Sequence, residues 1–204
     1  MKKNLLLILA TIILSGCAAA LVPYTSDPSE KLEWAYYLLE KGRALPAEKL
    51  IIEAVEICQE NNSSLCLGEA YKTYCYFYRS SAVRRYEKRY IERGFYDKNV
   101  TYEDRYNQSK IYCKKSITEF SKINRYDLVT NAYVMLGYTY AYIDTKLECG
   151  AYDTSVIYNE KFSKENPTAK ISLPKGYTTY KEYINAEKKL SKCLDKNITK
   201  HSSQ

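Results

Sequence analysis

Thiols and arginines carry most of the chemistry this sequence could perform. There are seven cysteines, at 17, 58, 66, 75, 113, 149 and 193, and one histidine, His201, in a polar tail. A thiolate binds zinc, exchanges disulfides or attacks carbonyls, but no C-x-x-C spacing is present for zinc or redox work, and one histidine gives little basis for a metal site or a histidine base. A G-x-S-x-G elbow, a phosphate-cradling G-x-x-x-x-G-K and an H-E-x-x-H pair are all missing. The carboxylates of Glu103 and Asp104 are neighbours in sequence and diverge on a helix. The residues therefore predict a protein that is not an enzyme and needs no metal or cofactor. Arg79, Arg84, Arg85, Lys88, Arg89 and Arg93 form the densest basic run, interleaved with Tyr86 and Tyr90. On one continuous helix Arg85, Arg89 and Arg93 would share a face, so Arg85, Tyr86, Arg89, Tyr90 and Arg93 are the candidate partner-binding set. The surface would suit an acidic protein or anionic headgroups. Glu87 and Glu92 dilute it, and the alternative is a solvated helix face.

The elements that would hold these residues read as helices. The chain has 204 residues, 46% hydrophobic and 27% charged, with only 7 glycines and 5 prolines. That composition fits a folded domain and opposes a turn-rich all-β one. A net charge of +7 is too mild for a nucleic-acid binder. Asp27-Pro28-Ser29-Glu30 reads as a helix start, and Gly42 as its end. Pro46 opens a second helix that Asn61-Asn62 stops. A third runs from about Leu65 to Tyr78 and continues through the basic run toward Gly94. Thr101-x-x-Asp104 opens a long helix to about Ile123. Asp127 caps an apolar segment from Leu128 to Ile143, followed by a weaker helix from Tyr152 to Phe162. Asn166 to Gly176 is a loop, and Thr179-x-x-Glu182 caps a last helix to about Asp195. Tyrosines number 23. Tyr71, Tyr74 and Tyr78 share one helix face, as do Tyr138 and Tyr142, and they serve either as core or as an aromatic binding surface.

The amino terminus supplies an address. Met1-Lys2-Lys3-Asn4 is basic, and Leu5 to Leu14 is apolar but well short of the roughly 20 residues a spanning helix needs. Leu14-Ser15-Gly16-Cys17 resembles a bacterial lipobox. The resemblance implies diacylglycerol on the Cys17 thiol, cleavage before Cys17 and an acyl chain on the new amino terminus. Ala18 in the next position is similar to an outer-membrane sorting signal, which implies an anchor facing the periplasm. The expected organisation is a signal peptide over 1–16, a lipidated tether over 17–27, a helical domain over 28–196 and a polar tail over 197–204. Outside the cytoplasm the other six cysteines read as a disulfide set. Cys58 ends one helix and Cys66 begins the next across a short Asn/Ser turn, within bridging reach. Cys75–Cys113 and Cys149–Cys193 are the pairings that then follow, although spacing alone leaves the connectivity open.

A repeat is the main clue to architecture. Ala47-x-x-x-Ile51-x-x-Ala54-Val55 resembles the second helix of a tetratricopeptide repeat. In that register Trp34, Ala35 and Leu38 fall where the first helix wants large, small and large residues. Leu67-Gly68-x-x-Tyr71 and Tyr133-x-x-Leu136-Gly137-x-x-Tyr140 match the first-helix pattern again. Ala35 and Gly68 are about one repeat apart, and Gly68 and Gly137 about two, which makes four units. Ser116-x-x-x-Phe120-x-x-Ile123 falls near a second-helix position. Gln59 replaces the usual proline and Cys149 a usual alanine. The resemblance implies an all-α, tetratricopeptide-like solenoid of about seven or eight helices in antiparallel hairpins; a non-repetitive bundle is the alternative. In architecture and address the chain is also similar to bacterial immunity lipoproteins, which implies inhibition of a periplasmic toxin such as a type VI phospholipase effector. The alternative implied function is an outer-membrane assembly adaptor or a pilotin-like scaffold. Labelled palmitate is expected to enter the wild-type protein, and Cys17→Ala to abolish the labelling and release the protein from membranes. Unchanged labelling in that variant would contradict the lipobox reading.

Overall fold

The computed structural model describes residues 23–169 and 171–193. Cys17, the signal and lipid-bearing residues, Asp195 and the polar tail lie outside the described residues. Nine helices form among the described residues. They are α1 Pro28–Glu40, α2 Ala44–Glu60, α3 Ser64–Arg79, α4 Ser81–Arg85, α5 Glu87–Arg93, α6 Arg105–Lys122, α7 Tyr126–Tyr140, α8 Thr145–Glu165 and α9 Tyr180–Leu190. No strand occurs among the described residues, and none of their helices is long and apolar enough to cross a membrane.

The local signals explain most boundaries. Asp27 caps α1 by accepting from the Ser29 amide at 2.8 Å, with Pro28 in the first turn. Gly42 and Asn62 take positive φ where α1 and α2 turn back, at 73° and 50°. Thr179 and Glu182 make both bonds of a capping box at the start of α9. Thr101 does not open a helix. Its hydroxyl accepts from the Asp104 amide in a turn, and α6 starts one residue later. Asp127 pairs with Arg125 at 2.7 Å rather than capping α7. The helix expected from Tyr152 begins earlier, at Thr145, because Asp144 caps it through the Lys146 amide.

The helices stack as three antiparallel hairpins, α1–α2, α3–α6 and α7–α8, with α9 against α8. Each hairpin's first helix also packs on the next one's, α1 on α3 and α3 on α7. This is the all-α hairpin stack that the repeat register predicts. Two glycines set the spacing. A Cβ on Gly68 would clash with the Phe120 ring, and one on Gly137 with the Tyr152 ring. Bare backbone at these points lets α6 and α8 close on α3 and α7, and Ser116 adds a 2.8 Å bond to the Gly68 carbonyl. Ala35 and Ile51, the matching pair of the first hairpin, are both fully buried.

The count of four units is corrected to three. The interval between Gly68 and Gly137 holds one hairpin whose two helices are separated by residues 80–104. The expected continuation of the third helix to Gly94 fails at Ser80, whose backbone is extended (φ −66°, ψ 151°). Its hydroxyl turns to cap α4 by accepting from the Val83 amide at 3.2 Å. A serine that offers the backbone a local partner ends the helix.

Three disulfides staple the stack with the expected pairing. Cys58–Cys66 joins α2 to α3, Cys75–Cys113 joins α3 to α6, and Cys149–Cys193 joins α8 to the chain three residues beyond α9. Their Cα separations are 5.3, 5.1 and 5.6 Å, within bridging range. The glycine contacts yield a test with an internal control. Alanine in a helix ordinarily gains about 0.5–1 kcal/mol over glycine, and Gly150→Ala should show that gain, because its site has open space. Gly68→Ala and Gly137→Ala should each lose about 1–3 kcal/mol through overpacking. Chemical denaturation of the oxidised proteins separates the two behaviours, and a gain at all three glycines would contradict the packing.

Candidate functional site

Residues 80–104 carry the basic run beyond Arg79 and are held to α3 by an aromatic cluster. Tyr90 stacks on Phe95 at 4.2 Å between centroids, and Phe95 meets the Tyr78 ring edge-on at 5.0 Å. Buried Glu48 of α2 fastens the segment. Its carboxylate accepts from the Tyr96 amide at 2.7 Å and from the Tyr90 hydroxyl at 3.4 Å. Burial raises the Glu48 pKa above the usual carboxylate range, and the two hydrogen bonds only partly oppose it.

This arrangement divides the candidate partner-binding set. Arg85, Arg89 and Arg93 are exposed, and with Lys88 they border a shallow depression of about 280 Å³. Tyr86 is half-buried and marks the break between α4 and α5, so the arginines do not lie on one continuous helix. Tyr90 is 1% exposed. As an interface residue it is corrected to a core residue: its ring completes the aromatic cluster and its hydroxyl is taken by Glu48. The Arg85 guanidinium lies against Gly42, in the turn between α1 and α2. The tyrosines of α3 also divide, with Tyr74 and Tyr78 buried and Tyr71 half-buried. Tyr74 stacks on Tyr112 of α6 at 4.5 Å, so this face is mostly core.

The first helices of the hairpins face a different surface. Tyr36 of α1, Tyr76 and Arg79 of α3, Met135 and Tyr138 of α7, and Tyr183 of α9 line a groove of about 450 Å³. Helical spacing puts Lys72, Tyr76 and Arg79 on the same side of α3. Tyr36 stacks on Tyr76 at 5.4 Å, and Tyr138 and Tyr183 share a 2.7 Å hydroxyl hydrogen bond. The Arg79 guanidinium lies over the rings of Tyr76 and Tyr138, at 5.1 and 5.2 Å. Burial pushes the Tyr36 hydroxyl up to about 12 and lowers the Arg79 pKa. Both act at neutral pH as their ordinary forms, a neutral phenol and a guanidinium cation. The groove offers ring faces, phenol tips and one desolvated cation, which is binding chemistry. Among the described residues no group of three or more histidines, cysteines and carboxylates converges on a common point.

The sequence reading placed Tyr138 on a tyrosine-rich face and Arg79 in the basic run but did not bring them together. Tyr76 and Arg79 at three-residue spacing mark an aromatic and basic side of α3, but no signal in the sequence brings Tyr138 of α7 to it. The class defined by fold and groove is a disulfide-stapled stack of helix hairpins with an aromatic face. No protein-family model, no curated protein and no solved structure matches the chain.

Glu48 gives a pH test of how the basic segment is held. A raised folded pKa means that folding takes up a proton between the ordinary glutamate pKa and the raised one. The contribution is full below the unfolded pKa and is lost as pH rises through the folded value. Urea denaturation between about pH 4 and pH 7 should therefore show wild-type stability falling relative to Glu48→Gln as pH increases. Parallel profiles would contradict the assignment.

Proposed function

We propose that this chain is a lipid-tethered, periplasm-facing protein-binding module that inhibits a toxin delivered into the bacterial envelope. The observation that carries the binding reading is the tyrosine-lined groove along α1, α3 and α7. Tyrosine brings large contact area and a polar tip at low entropic cost, and arginine and tyrosine are enriched where binding energy concentrates at protein interfaces. The lipobox supports the address: Cys17 would hold the module at the membrane from the outside, where three disulfides persist. An inhibitor needs a surface, not a catalytic constellation, and the groove is a surface of that kind.

The test is affinity capture with the tagged full-length lipoprotein from detergent-solubilised envelopes of sibling cells. A secreted toxin should co-purify, and adding the purified lipoprotein to that toxin should suppress its activity. Cells lacking the gene should become sensitive to toxin-producing siblings. Recovery of resident envelope machinery with no change in sensitivity would replace the inhibitor reading with the scaffold one.

A further inference from the structure

The groove contains a charge without a counter-charge. The ion pairs among the described residues leave Arg79 out. Its Nη2 donates to the Met135 thioether at 3.0 Å, and its Nε is buried without an acceptor. Thioether sulfur is a weak acceptor, and the ring faces of Tyr76 and Tyr138 satisfy charge but accept no conventional hydrogen bond. Arg79 is half-buried, and a cation whose Nε is shut away from water without an acceptor costs the fold stability. The exposed arginines at 85, 89 and 93 keep their water and incur no such cost. The cost at Arg79 is recovered when a carboxylate enters, since the planar guanidinium fork matches a carboxylate and the pair strengthens away from water.

We propose that the groove binds an acidic polypeptide segment of the protein partner, with one carboxylate of that segment paired to Arg79 between Tyr76 and Tyr138. This rests on the protein-binding reading above and names the chemistry of the partner. Several features specify the occupant. α1, α3, α7 and α9 all contribute walls, and the stacked Tyr36 and Tyr76 provide a ring platform beside the cation. Lys72 on the same side of α3 is paired with Glu69, and Glu40 is exposed at the rim, so among the described residues Arg79 is the groove cation without an ion pair. The basic chain as a whole also favours an acidic partner.

The probe is a fluorescein-labelled random copolymer of glutamate and tyrosine, with a lysine–tyrosine copolymer as control, titrated against full-length protein in micelles. Wild type should bind the acidic copolymer and not the basic one. Arg79→Gln should weaken binding on the order of thirtyfold with an unchanged circular dichroism spectrum. The double variant Arg89→Gln/Arg93→Gln should leave it nearly unchanged. Met135→Glu places an internal carboxylate where Nη2 now meets sulfur, and should block the copolymer even if Arg79→Gln does not fold. Equal losses in the Arg79 and Arg89/Arg93 variants, or full binding by Met135→Glu, would overturn the proposal. Free glutamate binding as tightly as the copolymer would overturn it too, by making the groove a small-anion site. Capture of a natural partner equally by wild type and Arg79→Gln would remove this inference and leave the protein-binding reading standing.

Discussion

The distance of closest approach between paired helices governs this molecule. Phe120 and Tyr152 are large rings seated on backbone at Gly68 and Gly137, where even one methyl group has no room. Because each ring fits only over the glycine, it fixes both the separation and the register of its hairpin. The register in turn decides which side of α3 and α7 stays free of the second helix. Tyr76, Arg79, Met135 and Tyr138 stand on the groove side of these two helices, so their spacing depends on the close approaches at Gly68 and Gly137. Loss of either close contact would move groove residues relative to one another without touching any of them.

A tyrosine-rich core places a second demand on the fold. Buried rings contribute apolar area, but each phenol needs a partner or an outlet. Two are met across elements, where Tyr90 donates to Glu48 and Tyr138 bonds Tyr183, while Tyr152 donates within α8 to Glu148, which also accepts from Ser191. These bonds join α2 to the segment after α4, α7 to α9, and α8 to the residue after α9. The disulfides bridge the same kinds of junction, with sequence separations of 8, 38 and 44 residues. Bridges of this kind typically contribute about 2–4 kcal/mol, largely by restricting the unfolded chain. Polar ties and covalent staples thus fasten the joints that small apolar contacts hold weakly, most clearly at α9.

Caps, glycines and short-range cysteine spacing were legible in the sequence because their physics is local. Asp27, Asn62, Thr179 and the Cys58–Cys66 turn each act within a few residues of themselves. Repeat spacing also located Gly68 and Gly137, whose partners are set by helix pairing. The insertion was harder to read, because its helical pattern is good on either side of Ser80 and only the serine's own capping bond breaks it. Tyr90 was misplaced for a related reason: its burial depends on Glu48 and Phe95, remote in sequence or outside the helix. The groove was least legible of all. Tyr36, Arg79 and Tyr138 sit on three helices, and nothing in their spacing says that they meet.

The account's central claim is that partner recognition uses the face shared by α1, α3 and α7 rather than the basic outer segment. Arg79 is desolvated and lacks a carboxylate there, whereas Arg89 and Arg93 are exposed to water. Site-specific photo-crosslinking decides between the faces most directly, with benzoylphenylalanine placed at position 76 in one protein and at position 89 in another, inside cells that express the partner. The account predicts a partner adduct from position 76 and little from position 89. An adduct from position 89 alone would contradict it.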